Sequence, residues 1–461
     1  MNLHRLLQAR GAADKPVRVG VIGCGKFASM YLAQVPRIPG MHVAAIADID
    51  PGRARDNLDR IGWPTERVGM RNLSKALKSG GTWLTADAGK LFEADEIDVI
   101  VEATGDPAAG IAHALNAADA GKHIIMVNVE ADAVAGPYLA AKVQAAGGVY
   151  SLAYGDQPAL ICELVDWARA SGFAVTAAGR GHKWLPEYRT YTPDNVWDGY
   201  GLSAAQAAEG GMNPRMFTSF LDGTKPAIES TAVANATGLT PAPGGLSYPP
   251  CAIDDLPEVL RPADEGGVLH HKGQIEVVSS LKPDGTPIDH DIRWGVFAVF
   301  EAGDEYVRRC FSEYGLKTDA SGRYAVSYKR WHLIGLELGI SVASVALRGE
   351  PTGVATGFRA DAVAMAKRDL KAGETLDGEG GYTVSGTLMT AEHSLADGAL
   401  PIGLAHNIVL NADVPAGAVL RKSDVALNAN SLAVIAREEM ERAFAPPDKT
   451  GQASEGKAAA E

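Results

Sequence analysis

Val17-Arg-Val-Gly-Val-Ile-Gly23-Cys-Gly25-Lys-Phe-Ala28 decides the fold. Its first six residues form a β-branched apolar run of the kind that makes a buried parallel strand. G-x-G-x-x-A follows at once, and a helical pattern opens behind it. Gly23 permits the tight turn, Gly25 lets backbone approach a pyrophosphate, and the small Ala28 lets helix and strand pack closely. Lys26 and Phe27 open that helix, whose N-terminal N–H groups face the phosphates. Asp48 ends a second apolar run, His42–Asp48, 20 residues beyond Ala28, where a ribose-binding carboxylate belongs.

Further runs follow at Asp98–Gly105, His123–Asn128 and Val149–Ala153, with helical segments at Ala28–Val35, Ala108–Ala120 and Pro137–Ala146. This alternation predicts an α/β doubly wound parallel sheet, a Rossmann domain over residues 1–157. Thr104, Gly105 and Asp106 follow the carboxyl end of a strand and are expected to line the nicotinamide side, and Asn128 is a further cofactor-binding candidate. Asp48 accepts hydrogen bonds from ribose hydroxyls and repels a 2′-phosphate, and Asp50 adds a second charge. Arg53 and Arg55, in the next helical turn, read as solvated. NAD is therefore expected ahead of NADP.

The rhythm changes after Asp156. A helix over Pro158–Ala170, a strand over Phe173–Ala178, a helix over Ala227–Thr237 and a strand over Arg293–Glu301 predict an α+β substrate and dimerisation domain, residues 158–354. Pro241–Pro250 reads as a loop. In a third domain, 355–430, Asp369-Leu-Lys-Ala-Gly-Glu-Thr-Leu376 recurs as Asp413-Val-Pro-Ala-Gly-Ala-Val-Leu420, which suggests a small β-domain of two similar halves. Residues 431–461 read as a C-terminal tail, disordered from Pro446.

The 461 residues suit about three domains. With 43 basic against 56 acidic residues, the net charge of −13 argues against nucleic-acid and anionic-membrane partners. No apolar stretch reaches the ~18 residues of a membrane span, and the start lacks a secretory core. The four cysteines show no disulfide or zinc spacing. A cytoplasmic protein is the expectation.

Against that acidic background, Gly179–Asp194 (GRGHKWLPEYRTYTPD) clusters Arg180, His182, Lys183 and Arg189 among aromatics. Read as a loop with glycines that admit a ligand, it offers Arg180 and Arg189 to a phosphate or carboxylate. His182 or Lys183 would carry the proton that accompanies hydride transfer. Glu130, Asp132 and Asp156 lie at or after carboxyl ends of strands, and Glu130 and Asp156 would orient substrate. Lys225 and Glu229, an i,i+4 pair, read as a surface salt pair, and Lys225 is also a substrate-binding candidate. His332 reads as a core histidine, and His270-His271 lacks metal-ligand partners.

Residues 17–158, with GCGKFA, DVIVEATG, GKHIIMVNVEAD and YGDQP, resemble the dinucleotide domain of homoserine dehydrogenase-like oxidoreductases. The 369–420 repeat is similar to the SAF domain, a β-clip module ending one branch of that family. The 1-deoxy-D-xylulose 5-phosphate reductoisomerase-like proteins are that branch's best-defined enzymes. AIESTAVANATGL (Ala227–Leu239) and ADEGGVL (Ala263–Leu269) extend the resemblance. Asn128-Val129-Glu130 stands where homoserine dehydrogenases carry an Asn-Lys pair, which implies a substrate other than homoserine.

The resulting expectation is an NAD(P)-dependent oxidoreductase acting on a small polyol, hydroxy acid or sugar phosphate, assembled as a homodimer or higher homo-oligomer. Three alternatives accompany it: the reductoisomerase-like enzyme, the one reading that calls for a divalent metal; a non-catalytic dinucleotide-binding regulator; and a lyase or dehydratase suggested by the SAF resemblance.

Overall fold

The computed structural model describes residues 2–209 and 211–445. Seven strands form the first sheet: β1 (Val17–Ile22), β2 (Met41–Ala47), β3 (Val68–Met70), β4 (Thr82–Thr85), β5 (Val99–Glu102), β6 (His123–Met126) and β7 (Tyr150–Leu152). Their order is β3-β4-β2-β1-β5-β6-β7, and every pairing is parallel. The order reverses at β1, whose Val19 pairs with Val43 of β2 on one side and Val99 of β5 on the other. Ligands of such sheets bind outside the carboxyl ends at that crevice. The five strands read from hydrophobic runs are present. β3 and β4 escaped because VGM and TWLT are too short to register a period.

The helix after β6 begins at Val129, ahead of the expected Pro137. Asn128 caps it, its Oδ1 accepting from the Ala131 N–H at 3.1 Å. Pro137 sits inside, beside a kink at Ala135 (φ −146°), as a residue without an N–H requires.

The second sheet has the order β11-β10-β8-β9, from β8 (Ala174–His182), β9 (Gln274–Ser279), β10 (Val296–Glu301) and β11 (Tyr324–Lys329). β8 runs parallel to β9 and antiparallel to β10. It extends past the predicted end at Ala178, so Gly179–His182 is strand and not loop. The glycines explain why. A Cβ on Gly179 would stand 1.7 Å from the Glu276 carbonyl oxygen, and one on Gly181 would stand 2.0 Å from that of Ile292. They admit neighbouring backbone rather than a ligand. The helices Gln157–Ala170 and Thr224–Thr237 pack against this sheet in one large core.

β12 (Ala360–Ala366) pairs antiparallel with β14 (Val384–Thr390), and β13 (Thr375–Asp377) with β15 (His406–Val409). The repeated octapeptides meet face to face. Leu370 and Val414 exchange N–H···O bonds of 2.8 and 3.0 Å. Asp369 Oδ1 accepts from the Ala416 N–H at 2.8 Å, and Asp413 Oδ1 from the Ala372 N–H at 2.9 Å, a reciprocal pair of caps.

Two segments depart from the expected domain layout. The helix Gly339–Arg348 packs on the first sheet, with Val342 and Val345 in one core with Val19 and Val101. Leu432–Phe444, expected as tail, is a helix whose Ala433 and Ala436 share a core with Ile124 and Leu139. The expectation of disorder from Pro446 falls outside the described residues.

Candidate active site

At the crevice, Gly23 has φ +86°, and a Cβ there would stand 2.7 Å from the Ala103 carbonyl oxygen, so the turn between β1 and the helix requires glycine. A Cβ at Gly25 would meet nothing within 4 Å, which leaves the turn open on its outer side. The helix Lys26–Gln34 starts there with no side-chain cap. Its first-turn N–H groups are therefore available to a pyrophosphate. Buried Cys24 is a filler whose N–H donates to Asp48 Oδ2 at 2.8 Å. Asp48 Oδ1 accepts from the Asp50 N–H (2.9 Å) and from Arg53 Nη2 (3.1 Å). Arg53, expected to be solvated, is more than half exposed and also pairs with Asp48. These residues fit a dinucleotide, with an acid for a 2′-hydroxyl and an adjacent cation within reach of a 2′-phosphate.

At the carboxyl ends of β5 and β6, Asn128 Nδ2 donates to Thr104 Oγ1 (3.2 Å) and to the Asp106 carbonyl (2.8 Å), tying the two following loops together around Gly105. Beyond them stands a buried charge cluster. Lys225 is not on the surface and does not pair with Glu229. It comes from the Thr224–Thr237 helix to meet Glu130, and Glu229 meets Arg180. Gln157, with its amide oxygen toward Arg180, accepts from Arg180 at 3.2 Å and from His332 Nε2 at 3.1 Å, and its nitrogen donates to Asp156 Oδ1 at 2.7 Å. Asp156 also accepts from the Gln157 N–H at 2.9 Å.

Burial pushes the Asp156 carboxyl up to about 7, with Glu229 adding to the rise and Lys225 opposing it. Burial works against the charge on Lys225, but Glu130, Glu379, Glu229 and Asp156 outweigh it and raise that group. Asp132 is not part of this cluster: it is buried with its Oδ1 accepting from the Tyr150 hydroxyl at 2.9 Å.

The cations of Gly179–Asp194 fall into two sets. Arg180 is neutralised by Glu229. Lys183 Nζ donates to the Gly199 carbonyl at 2.5 Å and lies 5.9 Å from the Tyr200 ring centroid, with Arg293 over the same ring at 6.0 Å. Burial, then the Arg293 charge, lowers Lys183. His182 is buried, Nε2 has no partner among the described residues, and burial with Arg180 and Arg293 holds it well below the usual histidine range. Arg189 stacks 5.1 Å from the Trp184 ring. Among the described residues no hydrogen bond or ion pair joins Lys183 or Arg189 to the Lys225–Glu130 pair.

Gln157, Arg293 and Glu379 were not singled out in the sequence. Gln157 had a signal, in Asp156-Gln157-Pro158 at the end of β7. The other two are brought in by strand pairing and domain docking alone.

Two family patterns match the chain. Residues 17–126 match GFO/IDH/MocA, the oxidoreductase family with an NAD-binding Rossmann fold, and residues 155–338 match the catalytic domain of oxidoreductase DRL. No curated protein matches. Among solved structures, a probable dehydrogenase from Thermotoga maritima aligns at 13% identity over 74% of this chain and 91% of its own, with a TM-score of 0.36. Levoglucosan dehydrogenase, in complex with NADH and levoglucosan, aligns at 16% over 62% and 64%, with a TM-score of 0.30. The WlbA dehydrogenase from Chromobacterium violaceum, in complex with NADH and UDP-GlcNAcA, aligns at 14% over 38% of this chain, with a TM-score of 0.27. The chain spans about half of that protein's length, 46%. Among the described residues no helix is long and apolar enough to cross a membrane. With its glycine-rich turn and a crevice that fits a dinucleotide, residues 17–126 are similar to the NAD-binding Rossmann domain of GFO/IDH/MocA oxidoreductases, and residues 155–338 to the catalytic domain of oxidoreductase DRL.

Proposed function

We propose that the protein transfers a hydride between a nicotinamide dinucleotide, NAD in preference to NADP, and a small polyol, hydroxy acid or sugar phosphate. When bound, the dinucleotide supplies or accepts the hydride at its nicotinamide ring. One observation carries the reading: Lys225, fixed by Glu130, stands beyond the carboxyl end of β6, where the sequence itself offers no lysine. Its ammonium donates to the substrate oxygen and stabilises negative charge as the C–O bond changes order. Asp156, poised about 7, takes up or returns the accompanying proton. Glu130 orients substrate hydroxyls through Lys225. Lys183 and Arg189 form the cationic side and receive a carboxylate or phosphate, Arg180 being neutralised by Glu229, and His182 and Lys183 are the alternative proton carriers.

A screen of polyols, sugar acids and their phosphates with NAD and NADP in parallel tests this reading. Lys225→Met should lower turnover by about 10²–10⁴-fold while the Kd for NADH holds. Binding of neither cofactor would end the proposal. Loss of turnover in Lys183→Met or His182→Asn, with Lys225→Met active, would move the proton transfer to the cationic side.

The resemblance noted in the sequence suggests a second reading, a reductoisomerase acting on 1-deoxy-D-xylulose 5-phosphate. It calls for NADPH and a divalent ion. Glu130, Asp156 and Glu229 already face Lys225, Gln157 and Arg180, and among the described residues no three His, Cys, Asp or Glu are placed to hold a metal. NADH-dependent turnover that survives EDTA would count against it.

A further inference from the structure

The segment 330–338 leads from β11 of the second sheet to the helix Gly339–Arg348, which packs on the first. It is clamped at two glycines of positive φ. At Gly335 (φ +76°) a Cβ would stand 2.9 Å from the Phe27 carbonyl oxygen, so the segment lies against the helix Lys26–Gln34 behind the glycine-rich turn. At Gly155 (φ +94°), one residue before Asp156, a Cβ would stand 2.9 Å from the Leu333 carbonyl oxygen. Both contacts require glycine. The Leu333 N–H donates to Glu337 Oε2 at 3.1 Å, which closes the segment on itself.

Beside the second clamp stands His332, expected as a core histidine. It is half-buried, and both of its ring nitrogens face a carbonyl oxygen. Nδ1 lies 2.7 Å from that of Trp294, just ahead of β10. Nε2 lies 3.1 Å from the Gln157 amide oxygen, and the amide nitrogen of Gln157 in turn donates to Asp156 Oδ1 at 2.7 Å. Oδ1 also accepts from the Gln157 backbone N–H at 2.9 Å. Two donors therefore converge on Oδ1, and among the described residues no hydrogen bond reaches Oδ2.

We propose that His332 is a positioning residue for proton transfer at Asp156: its Nε2–H holds the Gln157 amide with the nitrogen toward Oδ1, which commits that oxygen and leaves Oδ2 to exchange the proton with substrate. The proposal rests on the role given to Asp156 above.

Arg180 does not secure the amide alone. Its Nη groups stand 3.2 Å from the Gln157 oxygen, while Nη1 is paired with Glu229 and Nε donates to the Gly181 carbonyl at 3.1 Å. An amide turned over would set its oxygen against Asp156 Oδ1, two acceptors face to face in a buried site. Lys225 and Glu229 of the helix Thr224–Thr237 and Glu130 of the helix after β6 surround Asp156, and among the described residues none forms a hydrogen bond or ion pair with it. Gln157 is thus its one side-chain donor there. Burial, then Arg180, lowers His332 against the pull of the Trp294 carbonyl and Glu229. The Gln157 oxygen requires a proton on Nε2 whether or not Nδ1 carries one.

Long-range ¹⁵N–¹H spectra of the full-length protein labelled at histidine test the contact without cofactor or substrate. The resonances lost in His332→Gln should include an Nε2 that carries a proton at pH 7, and an unprotonated Nε2 overturns the proposal. Kinetics on a substrate found by the cofactor screen test the role. His332→Gln offers an amide nitrogen near the position of Nε2, whereas His332→Asn offers one near that of Nδ1 and reaches only the Trp294 carbonyl. His332→Asn should lower kcat about tenfold, with KM and the Kd for NADH within about twofold of wild type. The pH midpoint of kcat that belongs to Asp156 should move upward, because its carboxylate has lost a held donor. His332→Gln should recover part of the rate. Unchanged kcat or an unmoved midpoint in His332→Asn, or His332→Gln no faster than His332→Asn, overturns the proposal. Full turnover in Asp156→Asn, or a wild type that binds neither dinucleotide, refutes the reading of Asp156 and the proposal with it. Lost turnover in Asp156→Asn beside an unimpaired His332→Asn refutes the proposal alone.

Discussion

Asp132 illustrates how a single buried carboxyl writes itself into stability. Its Oδ1 accepts from Tyr150, its Oδ2 has no partner among the described residues, and burial pushes the group up to about 7. An unfolded aspartate titrates near about 3.9. Between those values the folded chain holds a proton that the unfolded chain has released, so stability falls as pH rises through that window. The effect is on the order of a few kcal/mol, and Asp156 adds to it with the same sign. Asp132→Asn should flatten the change in urea midpoint between pH 5 and 8, and parallel curves for variant and wild type would refute the assignment. Asp48 makes the corresponding case for binding. With its charge removed in Asp48→Ser and Arg53 left beside the ribose site, the ratio of NADP to NAD affinity should rise by about tenfold or more. Fluorescence titration with both reduced cofactors measures this, and an unchanged ratio would put cofactor choice elsewhere.

Among the elements, what could be read from sequence follows from how local each signal is. The Gly23–Ala28 fingerprint and the five apolar runs are contiguous, so strand, turn, helix and sheet class were legible. The octapeptide repeat was legible too, because each Asp caps the other half at the same offset. Gly179 and Gly181 were misread because a glycine that admits a ligand and one that admits a neighbouring strand look alike in sequence. Lys225 meets a carboxylate 95 positions away, so its i,i+4 neighbour Glu229 looked like the natural partner. The same long-range logic governs Lys367 and Asp222, both nearly inaccessible. Asp222 also accepts from the Thr224 N–H at 2.9 Å, at the start of the helix that carries Lys225. Lys367→Met strands that carboxylate and should cost about 3–5 kcal/mol. Denaturant titration measures the loss, and Lys367→Met/Asp222→Asn should recover part of it. A double variant no better than the single would mean that the pair is not the source.

At the scale of the whole molecule, Arg437 joins three regions that are far apart in sequence. It comes from the Leu432–Phe444 helix with 1% of its side chain exposed. Its guanidinium grips Asp361 of β12 with two N–H groups, one at 2.9 Å, while Nε donates to Glu441 at 2.7 Å. Nη1 also reaches the Val134 carbonyl (3.3 Å), beside the kink in the helix that follows β6. One cation thereby locks the C-terminal helix, the β-domain and the Rossmann domain into a single arrangement. Arg437→Met leaves Asp361 buried without a counter-charge, at a cost of about 3–5 kcal/mol, and should expose the Leu432–Phe444 helix to proteolysis. The glycine-rich turn is held by separate contacts from Asp48 and Asn57. NADH should therefore bind within about twofold of wild type, as distant sites do, while turnover falls with the loosened β-domain. An unchanged urea midpoint in Arg437→Met, or a loss of NADH affinity as large as the loss of turnover, would refute this coupling.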